Sequence, residues 1–193
     1  MWAMRMFVAL PLPEAVKEDL AEFLLPRQEA GPDFRWTVPE QWHLTLAFLP
    51  DVADRHTDEL LERLERVATR RNPLVLRVAG AGAFPHPGQA KNIWAALEHD
   101  GEELMRLAGG VRAAAAKSGA KVDGGRFRAH LTLARLGRPA DVTRWLRVLD
   151  PYSGPPWQAS EVALVASHLG QGPNGRARHE VLETFPLGAP GRG

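Results

Sequence analysis

HLTLAF at residues 43–48 returns as HLTLAR at residues 130–135, so a chain of 193 residues writes His-Leu-Thr-Leu-Ala twice. Side chains on a strand alternate with period two. His43 and Thr45 therefore share one face and Leu44 and Leu46 the other, and His130 and Thr132 oppose Leu131 and Leu133 in the same way. Each copy reads as a strand that buries its leucines and presents a His-Thr pair about 7 Å apart at Cα. One copy alone would pass as ordinary strand core with a satisfied histidine. Two copies ask for a shared purpose.

Working outward, RMFVALPL (5–12) predicts a buried strand and EAVKEDLAEFLL (14–25) a helix through Val16, Leu20, Phe23 and Leu24. FRWTVP and WHLTLAFL suggest short strands, and a helix is expected from about Asp51 to Arg70. Next come a strand, LVLRVAGAGAF, the loop PHPGQAK and the strand NIWAALE. A third helix spans Gly101 to Ser118, weakened by Gly109 and Gly110. A short helix near 140–149 and the strands EVALVASHL and RHEVLETFPL close the chain. Strands alternating with helices around two similar motifs predict an α+β fold: one domain, 1–193, of two similar lobes. A duplicated module then places two antiparallel-rich sheets about a central groove, helices outside, related by a pseudo-twofold axis.

Composition sets the bounds. An apolar content of 45% suffices for a core, and the chain lacks cysteine, which removes disulfides and thiolate metal sites and fits a reducing compartment, the cytoplasm by default. No apolar run reaches membrane-spanning length, and Arg5 interrupts the opening MWAMRMFVALPLPEAV, which reads as a first strand and not a signal peptide. From Lys121 onward ten Lys and Arg face six Asp and Glu, a basic excess around and after the second motif. Such a surface suits a phosphate-bearing ligand, or is merely an uneven solvated surface.

If the two strands meet across the groove, two imidazoles and two hydroxyls converge on one small volume. That is a phosphodiester site: one neutral His accepts a proton from the attacking oxygen, the other, as imidazolium, protonates the leaving oxygen, and the Thr hydroxyls donate to the non-bridging oxygens. An unperturbed pKa near 6.5 suits imidazole to both roles, and no metal or other cofactor is required. Zinc is the competing chemistry, but neither motif carries a nearby carboxylate or second His on its face, and Thr is a poor ligand. A binding module without turnover is the competing class, although Arg or Lys would serve binding better than a pair of His.

Two His-x-Thr-x motifs in this order, with RMFVALPLPEAV, RWTVPEQWHLTLAFL, NIWAALE, RFRAHLTLARL and VALVASHLGQGPNGRARHEVLETFPL around them, resemble the two-histidine phosphoesterase superfamily. Within it the chain is similar to the RNA 2′,3′-cyclic phosphodiesterases, also described as 2′-5′ RNA ligases. The resemblance implies a bilobal α+β fold and metal-free hydrolysis of an RNA or nucleoside 2′,3′-cyclic phosphate to the 2′-phosphomonoester. Run with a 5′-hydroxyl in place of water, the same chemistry is a 2′-5′ ligation. It assigns His43 as proton donor and His130 as proton acceptor, which the symmetric local sequence leaves open, and gives Thr45 and Thr132 to the phosphate. A cyclic phosphate of an ADP-ribose type and a linear 2′-5′ oligonucleotide stay open as substrates. The implied partners are RNA ends or nucleotides with a 2′,3′-cyclic phosphate, with no membrane and a monomeric protein.

Three positions depart from the family pattern. Ala47 stands where Arg often follows the first motif, on the His43 face by alternation. Ala129 stands where Pro is common, and His179 where Tyr is frequent. Arg128, with Arg126, alternates onto the His130 face as a candidate phosphate ligand, whereas Arg135 joins that face only if the strand bends after Leu133. Trp42 and Phe48 fall on the leucine face and read as core; Trp36 is left to stack a base. His56, His86 and His99 read as surface residues, His168 and His179 as structural ones.

Overall fold

The computed structural model describes residues 3–31 and 34–189. Nine strands and four helices follow one another among these residues. They are β1 (Ala3–Pro11), α1 (Glu14–Ala30), β2 (Arg35–Trp36), β3 (His43–Ala53), α2 (Thr57–Thr69), β4 (Leu74–Phe84) and β5 (Ala90–His99). Then come α3 (Gly101–Lys117), β6 (His130–Ala140), α4 (Thr143–Leu149), β7 (Trp157–Ala159), β8 (Glu161–His168) and β9 (Arg178–Pro186).

The strands form two antiparallel sheets, β3-β1-β8-β9 and β2-β6-β5-β4-β7. Apart from the two-residue β2, each sheet has four strands, with a motif strand, β3 or β6, leading each. The lobes are not the two halves of the chain, however. The sheet of the first motif is completed by β8 and β9 from the far end of the sequence, and the sheet of the second is drawn from the middle. This interleaving is why the halves do not align beyond the pentapeptides.

Leu44, Leu46, Leu131 and Leu133 are each no more than 2% exposed and join one core with Leu10, Leu20, Leu60 and Leu107. Burying a leucine contributes about 1.5–3 kcal/mol, so the motif leucines anchor both site strands. Helices α2 and α3 pack against each other, α2 also against β9 and α3 against β3; α4 packs on β4, and Asp19 of α1 accepts a 2.6 Å hydrogen bond from Tyr152. At Gly110 α3 and α2 approach closely: a Cβ there would lie 3.1 Å from Val67 of α2.

The expected helix from Asp51 begins only at Thr57, because residues 51–53 continue β3 in register with Met4 and Ala3 of β1. Long-range pairing overrides the local helical pattern there. The short strand β7 was not expected; it adds to β4 as the edge of its sheet. No helix among the described residues is long and apolar enough to cross a membrane.

Candidate active site

Both motif strands carry an irregularity at the same letter. Along β3, Thr45 pairs with Ala9 and Ala47 with Val8, so Leu46 is one residue too many. Along β6, Thr132 pairs with Trp94 and Ala134 with Ile93, so Leu133 is the extra residue. A β-bulge of this kind turns the following side chains to the opposite face from simple alternation. Leu46 and Ala47 both enter the core, as do Leu133 and Ala134, and Phe48 and Arg135 swing round to join His43 and His130. Two successive core-facing residues leave room for only a small second side chain, which accounts for the alanine in the repeat.

Three readings change accordingly. Ala47 faces the core at 3% exposure, so an alanine there removes no groove contact. Phe48 lines the groove, packed against the smaller cluster of Phe7, Ala9, Ala163 and Val165 and not against the motif leucines, and carries the Arg5 guanidinium 4.4 Å above its ring. Arg135 lines the groove because the strand does shift after Leu133.

The groove holds about 500 Å³ and brings together His43, Thr45, His130, Thr132 and Arg135 with Arg5, Arg35, Thr37 and His179. Among the described residues its lining contains no Asp or Glu. Arg128 is not part of that lining: β6 starts only at His130, and the Arg128 guanidinium sits 5.6 Å from the centre of the Phe84 ring. Its charge still bears on His130. Trp36 also stands apart, packed against Phe34 and Trp145, and Trp42 is core as expected.

Each histidine is tied to the backbone two residues before it. The His130 Nδ1–H donates to the Arg128 carbonyl at 2.7 Å, and the His43 ring hydrogen-bonds the Gln41 backbone. A carbonyl only accepts, so Nδ1 of His130 carries a hydrogen and Nε2 is left to gain or lose a proton. Aromatic neighbours fix the rings: Phe7 stacks on His43 at 4.2 Å between centroids, and Phe84 meets His130 edge-on at 5.0 Å. Trp94 lies beside His130 only because Gly82 faces it, since a Cβ there would overlap the indole.

Thr37 links the motifs. Trp42, next to His43, donates its indole N–H to the Thr37 hydroxyl at 2.8 Å; that hydroxyl lies 2.7 and 3.0 Å from the carbonyls of Thr132 and Leu133. The Thr37 backbone N–H also donates to the Leu133 carbonyl at 2.8 Å. At the open end, the β8–β9 loop, with Gly170 and Gly175 at φ +70° and +72°, borders the groove, and Arg176 donates across to the Trp36 carbonyl at 3.3 Å.

Electrostatics separates the two imidazoles. Burial first, then the charge of His179, lowers the pKa of His43 to about 3. His130 is lowered too, by burial and then the nearby Arg128 charge, against the raising effect of its backbone hydrogen bond. Arg135 is lowered by burial and by its like-charged neighbours Arg35 and Arg5. Like charges gathered with no carboxylate among the described lining residues suit an anion. Among the described residues no group of three or more His, Cys, Asp or Glu side chains is placed to hold a metal ion.

Sequence reading missed Arg35 and Thr37 and gave Arg5 no place in the site, assigned Phe48 to the core, and took His179 as structural. Arg5 was accessible: in RMFVALP it alternates with Met6, Val8 and Leu10, on the face of Phe7 and Ala9.

The model of the LigT-like phosphoesterase family matches residues 10–94 and 97–174, most of the chain. An RNA 2′,3′-cyclic phosphodiesterase of Thermus thermophilus is 34% identical over 192 residues, 95% of this chain and 90% of its own. One from Archaeoglobus fulgidus is 33% identical over 145 residues, 73% of this chain and 80% of its own. A crystal structure of a protein from Thermus thermophilus superposes with a TM-score of 0.77 at 31% identity, covering 97% of this chain and all of that one. With both motif strands on one groove and the family model matched from β1 to the β8–β9 loop, this chain belongs to the LigT-like phosphoesterases.

Proposed function

We propose that this protein hydrolyses RNA or nucleoside 2′,3′-cyclic phosphates to 2′-phosphomonoesters with its two motif histidines as acid and base and without a metal. The observation that carries this reading is the pair of backbone-tied imidazoles on one arginine-lined groove, with no carboxylate among its described lining residues. The relatives named as RNA 2′,3′-cyclic phosphodiesterases support the choice of substrate. The chain acts as one phosphoesterase domain, 1–193, of two similar lobes.

The chemistry balances within the pair. Nε2 of His130 takes a proton from water as its oxygen bonds phosphorus; the P–O3′ bond breaks, and His43 gives its proton to O3′. The Thr45 and Thr132 hydroxyls donate to the non-bridging oxygens, and Arg135, with Arg5 and Arg35, offsets the developing charge. A 5′-hydroxyl replacing water leaves a 2′-5′ phosphodiester. Burial, His179 and Arg135 disfavour the protonated form of His43 in the empty groove, so His43 takes its acid proton from solvent as the substrate's negative charge enters and offsets Arg135 and His179. The strong depression of His43 also favours a second reading with the roles exchanged, His43 as base and His130 as acid.

The test is turnover of nucleoside 2′,3′-cyclic phosphates and of a short RNA with a 2′,3′-cyclic end, in chelator, from pH 5 to 9. Conversion to the 2′-phosphate with a bell-shaped pH profile, lost in His43→Ala and in His130→Ala, is expected. Activity that needs added metal, or that survives either substitution, would overturn the proposal.

A further inference from the structure

Two strands with the same pentapeptide, the same bulge and the same backbone tie should hold two equivalent imidazoles, yet the rings packed around them differ. His130 is flanked by Phe84 and Trp94. His43 has Phe7 on its face and a third imidazole, His179, at its edge, 5.3 Å between centroids and 75° between planes. His179 stands on β9 opposite Ser167 and leans on the same Phe7 ring at 5.0 Å, so Phe7, His43 and His179 form one packed group on the groove wall.

We propose that His179 is a positioning residue of this site: the ring facing His43 breaks the equivalence of the two imidazoles and makes the proton on His43 depend on the charge of its neighbour. This rests on the paired-histidine reading above. The other charged groups around the pair are Arg5 on β1, Arg35 on β2, and His130 and Arg135 on β6. Lys17 of α1 and Glu40 line a smaller cavity that adjoins His43 and His179. On β9 itself Glu180 is bonded to His168 at 2.8 Å, and Arg178 lies 3.6 Å from the Glu180 carboxylate, so neither compensates His179 directly. His179 is itself lowered by burial, then by Arg135 and Arg5. Bound phosphate offsets these arginines, which lets the pair hold a proton that the empty groove rejects.

His179→Phe keeps a ring against Phe7 but cannot charge; His179→Gln removes both ring and charge; His179→Lys keeps a charge. The His43 titration is followed by NMR in the free protein, and kcat/KM against pH is measured with a nucleoside 2′,3′-cyclic phosphate. Unit charges about 5 Å apart in a partly hydrated site shift each other by about one to two pH units. The expected result is a rise of that size in the His43 midpoint in His179→Phe and His179→Gln, the His43-dependent limb moving with it, and a limb held near its original position by His179→Lys. An unchanged midpoint in both neutral variants would overturn the proposal, as would a loss of kcat at every pH with no movement of the limb. The NMR readout needs no turnover, so it fails independently of the paired-histidine mechanism.

Discussion

Replacing His43 should flatten the acid side of the protein's stability curve. The imidazole titrates near 6.5 in an unfolded chain and near 3 in the fold. As pH falls below 6.5 the unfolded state binds a proton that the folded state refuses, so stability is lost with decreasing pH, and the loss stops growing below about pH 3. Between pH 7.5 and pH 5 this difference amounts to about 1.5 pH units of linkage, or about 2 kcal/mol at 1.36 kcal/mol per unit. His130 and His179 are lowered as well and add losses of the same sign in both proteins. Urea unfolding of the native protein and of His43→Gln at the two pH values isolates the His43 share. The expected outcome is that His43→Gln loses about 2 kcal/mol less than the native protein over this interval. Equal losses in the two proteins would mean that His43 titrates alike in fold and coil, and the linkage would be wrong.

Three further outcomes follow from the site's construction. Thr37→Val leaves the buried Trp42 indole N–H without its acceptor and should cost about 1–3 kcal/mol in urea unfolding. Ala134→Leu, if the bulge turns that residue into the core, should destabilise by about 1–3 kcal/mol through overpacking, where a groove-facing position would tolerate the change in the same assay. Arg135→Gln should raise KM for a cyclic-phosphate-ended oligonucleotide and lower the salt dependence of its binding by about 0.7 in the log-log slope, measured by titration at several salt concentrations.

The fold and the pairing of the two histidines were legible because period-two alternation holds through the first three residues of each motif. It fails at Leu46 and Leu133. Whether a strand carries an extra residue is decided by its register with a partner, here Val8 and Ala9 on one side and Ile93 and Trp94 on the other. Nothing local to HLTLA specifies that register, so Phe48 was assigned to the core, Ala47 to the groove, and Arg135 was left conditional. Arg128 was read as a strand residue, but the strand begins two residues later, and what the site takes from it is its carbonyl. His179 was read as structural for another reason: β9 lies beside β8 at the far edge of the sheet, and only the fold brings it against Phe7 and His43.

That His43 and His130 move protons in opposite directions can be probed with a substrate whose 3′ leaving oxygen is replaced by sulfur, which departs without a proton. Single-turnover cleavage is compared for the native protein, His43→Ala and His130→Ala on the 3′-oxygen and 3′-sulfur cyclic substrates. With His43 as the acid, the sulfur substrate restores most of the rate lost in His43→Ala and little of that lost in His130→Ala. Equal recovery in the two variants, or recovery in His130→Ala alone, would be incompatible with that assignment, the latter showing that the two histidines hold the exchanged roles.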